Sequence, residues 1–310
     1  MTINTNGAGK GYLGLFRFID SGEARNLRLE NISINAGDNS YYIGGLAGRN
    51  DHGIISNCSV TGTVTSGNSS FGFGGLVGEM YNGDVNNCSY SGSVSGGSDS
   101  EDVSGLVGRS WLNGVISNCH SIGNVNGGYS SSCIGGLVGW NVDTNINSSY
   151  STCDINGGNV SGTLGGLVGG NIGIISGCYS TGTVACMSDA WQFGGLVGEN
   201  RGHISNSYST GAITVGNGSD YIGGLAGKNV KGIDYIATVN NCYSVGIVTV
   251  GDGPTYVGGL VGYGYEEYGN ISNSYFLITS GLDNGYGTDI VPIVVGGLNG
   301  YSSSHSLRYL

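Results

Sequence analysis

The string Gly-Gly-Leu-Val-Gly, or a near copy of it, recurs nine times along this chain, with its leucine at Leu46, Leu76, Leu106, Leu137, Leu167, Leu196, Leu225, Leu260 and Leu298. The intervals are 30, 30, 31, 30, 29, 29, 35 and 38 residues. A period of that size is the mark of a solenoid or array, in which each unit buries its apolar face only against its neighbours. No linker or composition shift interrupts the series, so separate domains have no support. Gly14-Leu15-Phe16 followed by Asn26-Leu27 reads as one more, diverged unit.

Composition decides what the unit is made of. Gly supplies 64 of the 310 residues, and good helix formers are scarce, so a helical chain is excluded. A 38% hydrophobic share argues against disorder, and the absence of a third-residue Gly period with only 2 Pro excludes collagen. Three short β patterns remain in each unit, as in Phe193 to Glu199, Ile204 to Ser207 and Tyr208 to Ile213. In Cys178 to Val184 the small residues Cys178, Ser180, Gly182 and Val184 alternate with Tyr179, Thr181 and Thr183, which puts the first set inside.

Superimposing the units gives apolar columns at Ile43, Phe73, Val103, Ile134, Leu164, Phe193, Ile222 and Val257, and again at Ile55, Val85, Ile116, Ile146, Ile175, Ile204, Val239 and Ile271. About 30 residues at roughly 3.3 Å each close one three-sided coil, and coils stack at about 4.8 Å through parallel ladders. The expected fold is all-β: a single right-handed parallel β-helix of nine to ten coils, the hand following the rule for parallel crossovers. One domain spans 1–310, with a diverged first coil over 1–40, regular coils over 41–275 and an irregular closing coil over 276–310.

Two Asn columns accompany the repeat. One precedes the Cys position (Asn57, Asn87, Asn118, Asn206, Asn241 and Asn273); the other follows the Gly-rich string (Asn50, Asn141, Asn171, Asn200 and Asn229). Asn tolerates the left-handed conformation and can bond the same amide one rung away, so both columns are read as turns. Cys58, Cys88, Cys119, Cys178 and Cys242 share an interior column in which Ser149, Ser207, Ser274 and Leu27 also stand, so the column is one of packing and the thiols are expected free. Cys133, Cys153 and Cys186 lie off it and are the thiols a disulfide could join. No Cys-x-x-Cys occurs, which leaves zinc unsupported.

Units such as Gly194-Gly-Leu-Val-Gly-Glu-Asn200 followed by Ile204-Ser-Asn-Ser-Tyr-Ser-Thr-Gly211 resemble the GLUG-motif repeats of bacterial and archaeal surface proteins, which also occur beside the protease domain of some IgA-cleaving metallopeptidases. The resemblance covers nearly the whole chain, and Asn273-Ser-Tyr-Phe-Leu-Ile-Thr-Ser-Gly281 is similar to the segment that closes such arrays. The lead-in that usually precedes the repeats is lacking, which points to a fragment. What the resemblance implies is a cell-surface or secreted β-solenoid used in adhesion, stalks or matrix contacts, with no catalytic residues to carry over.

Charge and motifs narrow the chemistry. A net charge of −11 repels nucleic acid and anionic lipid, and no apolar run reaches the roughly 18 residues of a membrane helix. Met1 to Tyr12 carries no signal-peptide stretch, so a signal and an anchor would lie outside this chain. Gly72-Phe-Gly74-Gly-Leu-Val is no dinucleotide loop, because no helix follows any copy. The acids of Asp99-Glu101-Asp102 and Glu266-Glu267 read as solvated loops. His52, His120, His203 and His305 form no metal motif. No cofactor is expected, with calcium on scattered loop acids left open.

The outward columns are the better candidates. Arg49, Glu79, Arg109, Trp140, Glu199, Lys228 and Tyr263 form a ladder of opposite charges and rings, read as stabilising and register-setting. Tyr150, Tyr179, Tyr208, Tyr243 and Tyr275 make an exposed aromatic strip that supports the sheet; since Tyr and Trp faces also bind sugars or anchor proteins, this strip with Trp140, Trp111 and Trp191 is the expected contact surface. If the repeat leucines point inward, Val77, Val107, Val138, Val168, Val197 and Val261 should point outward unless a bulge intervenes, inviting association with a second rod. The resulting expectation is a non-enzymatic cell-surface or secreted segment, adhesive or structural, whose partners are glycans or proteins of a host or neighbouring cell, or another copy of itself. The alternatives are a carbohydrate-active β-helix of lyase or hydrolase type and an ice-binding solenoid built on Thr61-Gly-Thr63 and Thr181-Gly-Thr183.

Overall fold

The computed structural model describes residues 1–276 apart from 6, 8, 233–235 and 265–268, and its described residues are strand, bend and turn with no helix. A representative turn of the coil contributes four strands: Phe71–Gly74, Val77–Tyr81, Asp84–Asn86 and Ser89–Ser95. Each pairs in parallel with its counterparts one turn before and after, Phe73 with Ile43 and Val103, Val85 with Ile55 and Ile116. Among the described residues three ladders run nine strands each, giving nine turns. They are named here pre-bend, post-bend and short, in chain order within a turn. The fourth, the long ladder, collects 14 strands because its later strands break in two, as at Tyr150–Ser151 and Asp154–Gly157. The parallel solenoid with a coil of about 30 residues is therefore borne out. The expected closing coil over 276–310 lies, beyond its first residue, outside the described residues, as do Leu298, Glu266, Glu267 and His305.

Local chemistry sets the corners. The column ahead of the interior thiols takes the left-handed conformation throughout, with φ 53° at Asn57 and Asn87, 52° at Asn118, 50° at Asn206, 53° at Asn241 and 46° at Asn273. Asn accepts that conformation at little cost, which is why it recurs there. A second left-handed corner leads into the pre-bend strand at Asn39, Ser69, Asp99, Ser130, Val160 and Asp189.

The other Asn column corrects the expectation of a second turn. Asn50, Asn141, Asn171, Asn200 and Asn229 sit in post-bend strands, outside the left-handed region, with side chains at most 1% exposed. Asn141 Nδ2 donates to Asn171 Oδ1 at 2.8 Å, Asn171 to Asn200 at 2.8 Å, and Asn200 to Asn229 at 2.7 Å. The same nitrogens also donate to turn carbonyls, including Thr144 at 3.1 Å and Gly202 at 3.1 Å. A buried polar group must find partners, and from Asn141 to Asn200 each amide donates to the next copy of itself.

The two apolar columns are sealed as expected, fully buried from Ile43 to Ile222 and from Ile55 to Val239, with Val257 and Ile271 partly exposed in the last turn. The alternation Cys178, Ser180, Gly182, Val184 inside and Thr181, Thr183 outside also holds. All eight cysteines are free, including Cys133, Cys153 and Cys186. Along the thiol column Cys58 N–H faces Cys88 Sγ and Cys88 N–H faces Cys119 Sγ, each at 3.4 Å. Serine substitutes without disturbance: Ser149 Oγ donates to Asn147 O at 2.8 Å, just as Cys88 Sγ donates to Asn86 O at 3.2 Å.

The valines do not face outward. Val77, Val107, Val138, Val168 and Val197 are fully buried and Val261 is 8% exposed. A two-residue bend at the Gly-Leu pair, residues 75–76 in the representative turn, splits the Phe193–Glu199 type of pattern into two strands and resets the alternation. Leucine and the following valine therefore both look into the core, and the stripe that would have driven lateral association is absent. The flanking glycines let the strands on either side of the bend meet backbone to backbone: a Cβ on Gly78 would lie 2.3 Å from Tyr42 C, and one on Gly44 2.3 Å from Ala47 O.

Candidate functional site

The tyrosine strip forms on the long ladder, where Tyr150, Tyr179, Tyr208, Tyr243 and Tyr275 are paired rung to rung. Successive rings from Tyr150 to Tyr243 stack with centroids 4.8, 5.0 and 4.8 Å apart and planes within 4° of parallel. His120 extends the stack below Tyr150 at 4.9 Å. Burial, then the charges of Tyr150 and Tyr208, push the Tyr179 phenol above its ordinary range. Rings at rung spacing cover one another's faces, so what the strip offers outward is a row of ring edges and hydroxyls rather than open aromatic faces.

The tryptophans are not part of that strip. Trp111 and Trp140 stand on the post-bend ladder, and Trp191 opens a pre-bend strand. Trp111 lies under the Arg109 guanidinium, 5.1 Å from the ring centre. Trp140 leans onto the sixth turn, where its six-membered ring takes the space a side chain on Gly170 would need, 2.0 Å from that Cβ position. Trp191 leans onto the same turn from the other side, its Nε1 2.6 Å from the Cβ position of Gly162.

A further row went unrecognised in the sequence as a unit. The second residue of the pre-bend strand is left-handed in the first eight turns, at Tyr12, Tyr42, Gly72, Asp102, Cys133, Thr163, Gln192 and Tyr221. This twist turns its side chain toward the outward residue of the post-bend strand, so Asp102 pairs with Arg109 at 3.0 Å and Tyr221 lies 5.3 Å from Lys228 Nζ. Asp102 is consequently 3% exposed rather than a solvated loop acid. The signal that finds this row is a spacing of seven across the bend, as from 102 to 109 and from 221 to 228.

Electrostatics along the row are paired and mostly closed. Arg49 bridges Asp51 at 2.8 Å and Glu79 at 2.9 Å, and Glu199 meets Arg201 at 3.1 Å and Lys228 at 3.8 Å. Burial raises the Glu79 carboxyl against the pull of Arg49, and burial raises Asp102 to about 7 against that of Arg109. Burial also pushes the Cys133 thiol well up. The expected alternation of charges is thus present, as a set of ion pairs and cation–ring contacts. Among the described residues no group of three His, Cys, Asp or Glu side chains is placed to hold a metal ion. No described helix is long and apolar enough to cross a membrane.

Three segments match the model of the GLUG motif, at residues 39–65, 189–215 and 253–279. Their first residues, Asn39, Asp189 and Gly253, all fall at the left-handed corner that opens a turn. The resemblance to GLUG repeats is borne out by these three copies. No curated protein and no solved structure matches the chain.

Proposed function

We propose that this chain is a non-catalytic rod segment of an exported or cell-surface protein, acting in adhesion or as a stalk, and that the long-ladder face carries its partner contacts. The observation that supports this reading is the His120, Tyr150, Tyr179, Tyr208, Tyr243, Tyr275 column, five of its residues half-buried and Tyr243 exposed. The stack holds each ring by its faces, so the hydroxyl row is presented with little side-chain freedom left to lose on binding. A repeating row of hydroxyls suits an extended partner, a protein strand or a polymer, that repeats at a comparable interval. The test is an array of immobilised extracellular proteins and glycans probed with the wild type and with a Tyr179→Ala, Tyr208→Ala double variant. Loss by the double variant of any spot that the wild type retains supports the reading; a double variant that keeps every spot of the wild type, or a wild type that retains none, rejects this face as the contact surface.

The cluster of Tyr42, Glu79, Asp102, Arg49 and Arg109 favours a second reading, a carbohydrate-active site of lyase or hydrolase type. Two acids with raised carboxyls beside two guanidiniums are the groups such chemistry uses. Their side chains are only 6% and 4% exposed, which weighs against it. Reducing-end release from neutral and acidic polysaccharides, abolished by Glu79→Gln, would establish it.

A further inference from the structure

The sixth turn is thinned on its outer surface. Gly162 and Gly170 stand where neighbouring turns carry Ser132 and Trp191, or Trp140 and Glu199. The two missing side chains are replaced by indoles reaching in from adjacent turns, Trp140 from the fifth and Trp191 from the seventh. Among the described residues neither indole has an aromatic or cationic partner at its ring, in contrast to Trp111 under Arg109 and to the stacked tyrosines. Trp191 is 45% exposed, a large apolar surface to leave in water.

One polar group follows a thinned position and another follows an indole. Thr163, next to Gly162, donates its hydroxyl to Gln192 Oε1 at 2.6 Å, and Gln192 is next to Trp191. That bond fixes the Gln192 amide with its oxygen occupied, which leaves Nε2 as the donor. Thr163 and Gln192 adopt φ of 57° and 68°, a conformation a β-branched residue rarely accepts. The nearby charges are committed elsewhere, Asp102 to Arg109 and Glu199 to Arg201 and Lys228.

We propose that Trp140, Trp191 and Gln192 form a binding site for a neutral glycan, with the indoles contacting the apolar C–H surfaces of sugar rings and the Gln192 amide donating to a ring hydroxyl. The ligand class follows from the chemistry: amphipathic rings suit indoles beside an amide, and the absence, among the described residues, of an uncommitted cation at the site, on a chain of net charge −11, disfavours anionic sugars. The site lies on other ladders than the tyrosine strip and stands whether or not that strip binds a partner.

The test is retention on immobilised neutral hexaoses (cello-, malto-, xylo-, manno- and chito-oligosaccharides) with oligogalacturonate as the anionic control, followed by titration of tryptophan emission with the hexaose retained. The expected result is saturable binding to at least one neutral hexaose. Affinity should fall at least tenfold in Trp191→Ala and in Trp140→Ala, and several-fold in Gln192→Ala. Trp111→Ala should bind as the wild type does, and circular dichroism checks that every variant keeps its sheet. No neutral hexaose retained, preferential retention on oligogalacturonate, or equal binding by the Trp140→Ala, Trp191→Ala double variant overturns the proposal.

Discussion

Asn171 Nδ2 donates to Asn200 Oδ1 across 2.8 Å, one full turn apart, with both side chains shut off from water. Replacing Asn171 by Leu keeps the branched heavy-atom skeleton but takes one partner from each of the Asn141 and Asn200 amides and strands the polar groups of Gly173. Each stranded group costs about 1–3 kcal/mol, so a loss of about 2–4 kcal/mol is expected in urea unfolding followed by circular dichroism. Hydrogen exchange should accelerate first in the fifth to seventh turns.

The thiol column should tolerate serine. Cys88→Ser places a hydroxyl where Ser149 and Ser207 already bond the carbonyl two residues back, so the expected change stays within about 1 kcal/mol. A thiol reagent should leave the folded chain's cysteine column unlabelled, because those thiols are buried and burial raises Cys178 and Cys242 to about 11.

Asp102 makes stability depend on pH with a definite sign. Burial holds its carboxyl at about 7 in the folded chain against 3.8 for the free group. The unfolded chain therefore ionises first as pH rises, and the Asp102 contribution to stability is fully present below about 4 and lost as pH rises toward about 7. Thermal melts across pH 4 to 7 should show this fall, and Asp102→Asn should flatten it.

Glycines at the bend should separate from glycines at the surface. A Cβ on Gly165 would lie 1.9 Å from Val168 O, and backbone cannot step aside, so Gly165→Ala should cost about 3 kcal/mol or more. Gly22→Ala meets nothing nearer than 3.7 Å and should change stability by less than about 0.5 kcal/mol.

Much of this architecture was legible because a solenoid repeats its environment along with its sequence. Ile55, Val85 and Ile116 share one burial, and a position shared by Cys88 and Ser149 had to be a packing position. What misled was local geometry that alternation cannot carry. The bend at the Gly-Leu pair turned Val77 inward, and the left-handed twist at Asp102 took an acid out of solvent and set it on Arg109. The Asn columns looked alike in sequence, yet Asn57 answers a backbone need and Asn171 a side-chain one. For the candidate contact residues, type and period marked Tyr179 and Trp191, while the closed ring faces of the first and the glycine beneath the second emerged only in three dimensions.

The ladder bonds that join successive turns run along the rod, so a pull applied end to end loads them one above another rather than side by side. The weakest turn would then give way first and shield the rest. Releasing about 30 residues at roughly 3.4 Å each would pay out about 100 Å of slack from a rung about 4.8 Å tall. Nine such turns in series would let the rod lengthen in steps whenever its two ends are drawn apart.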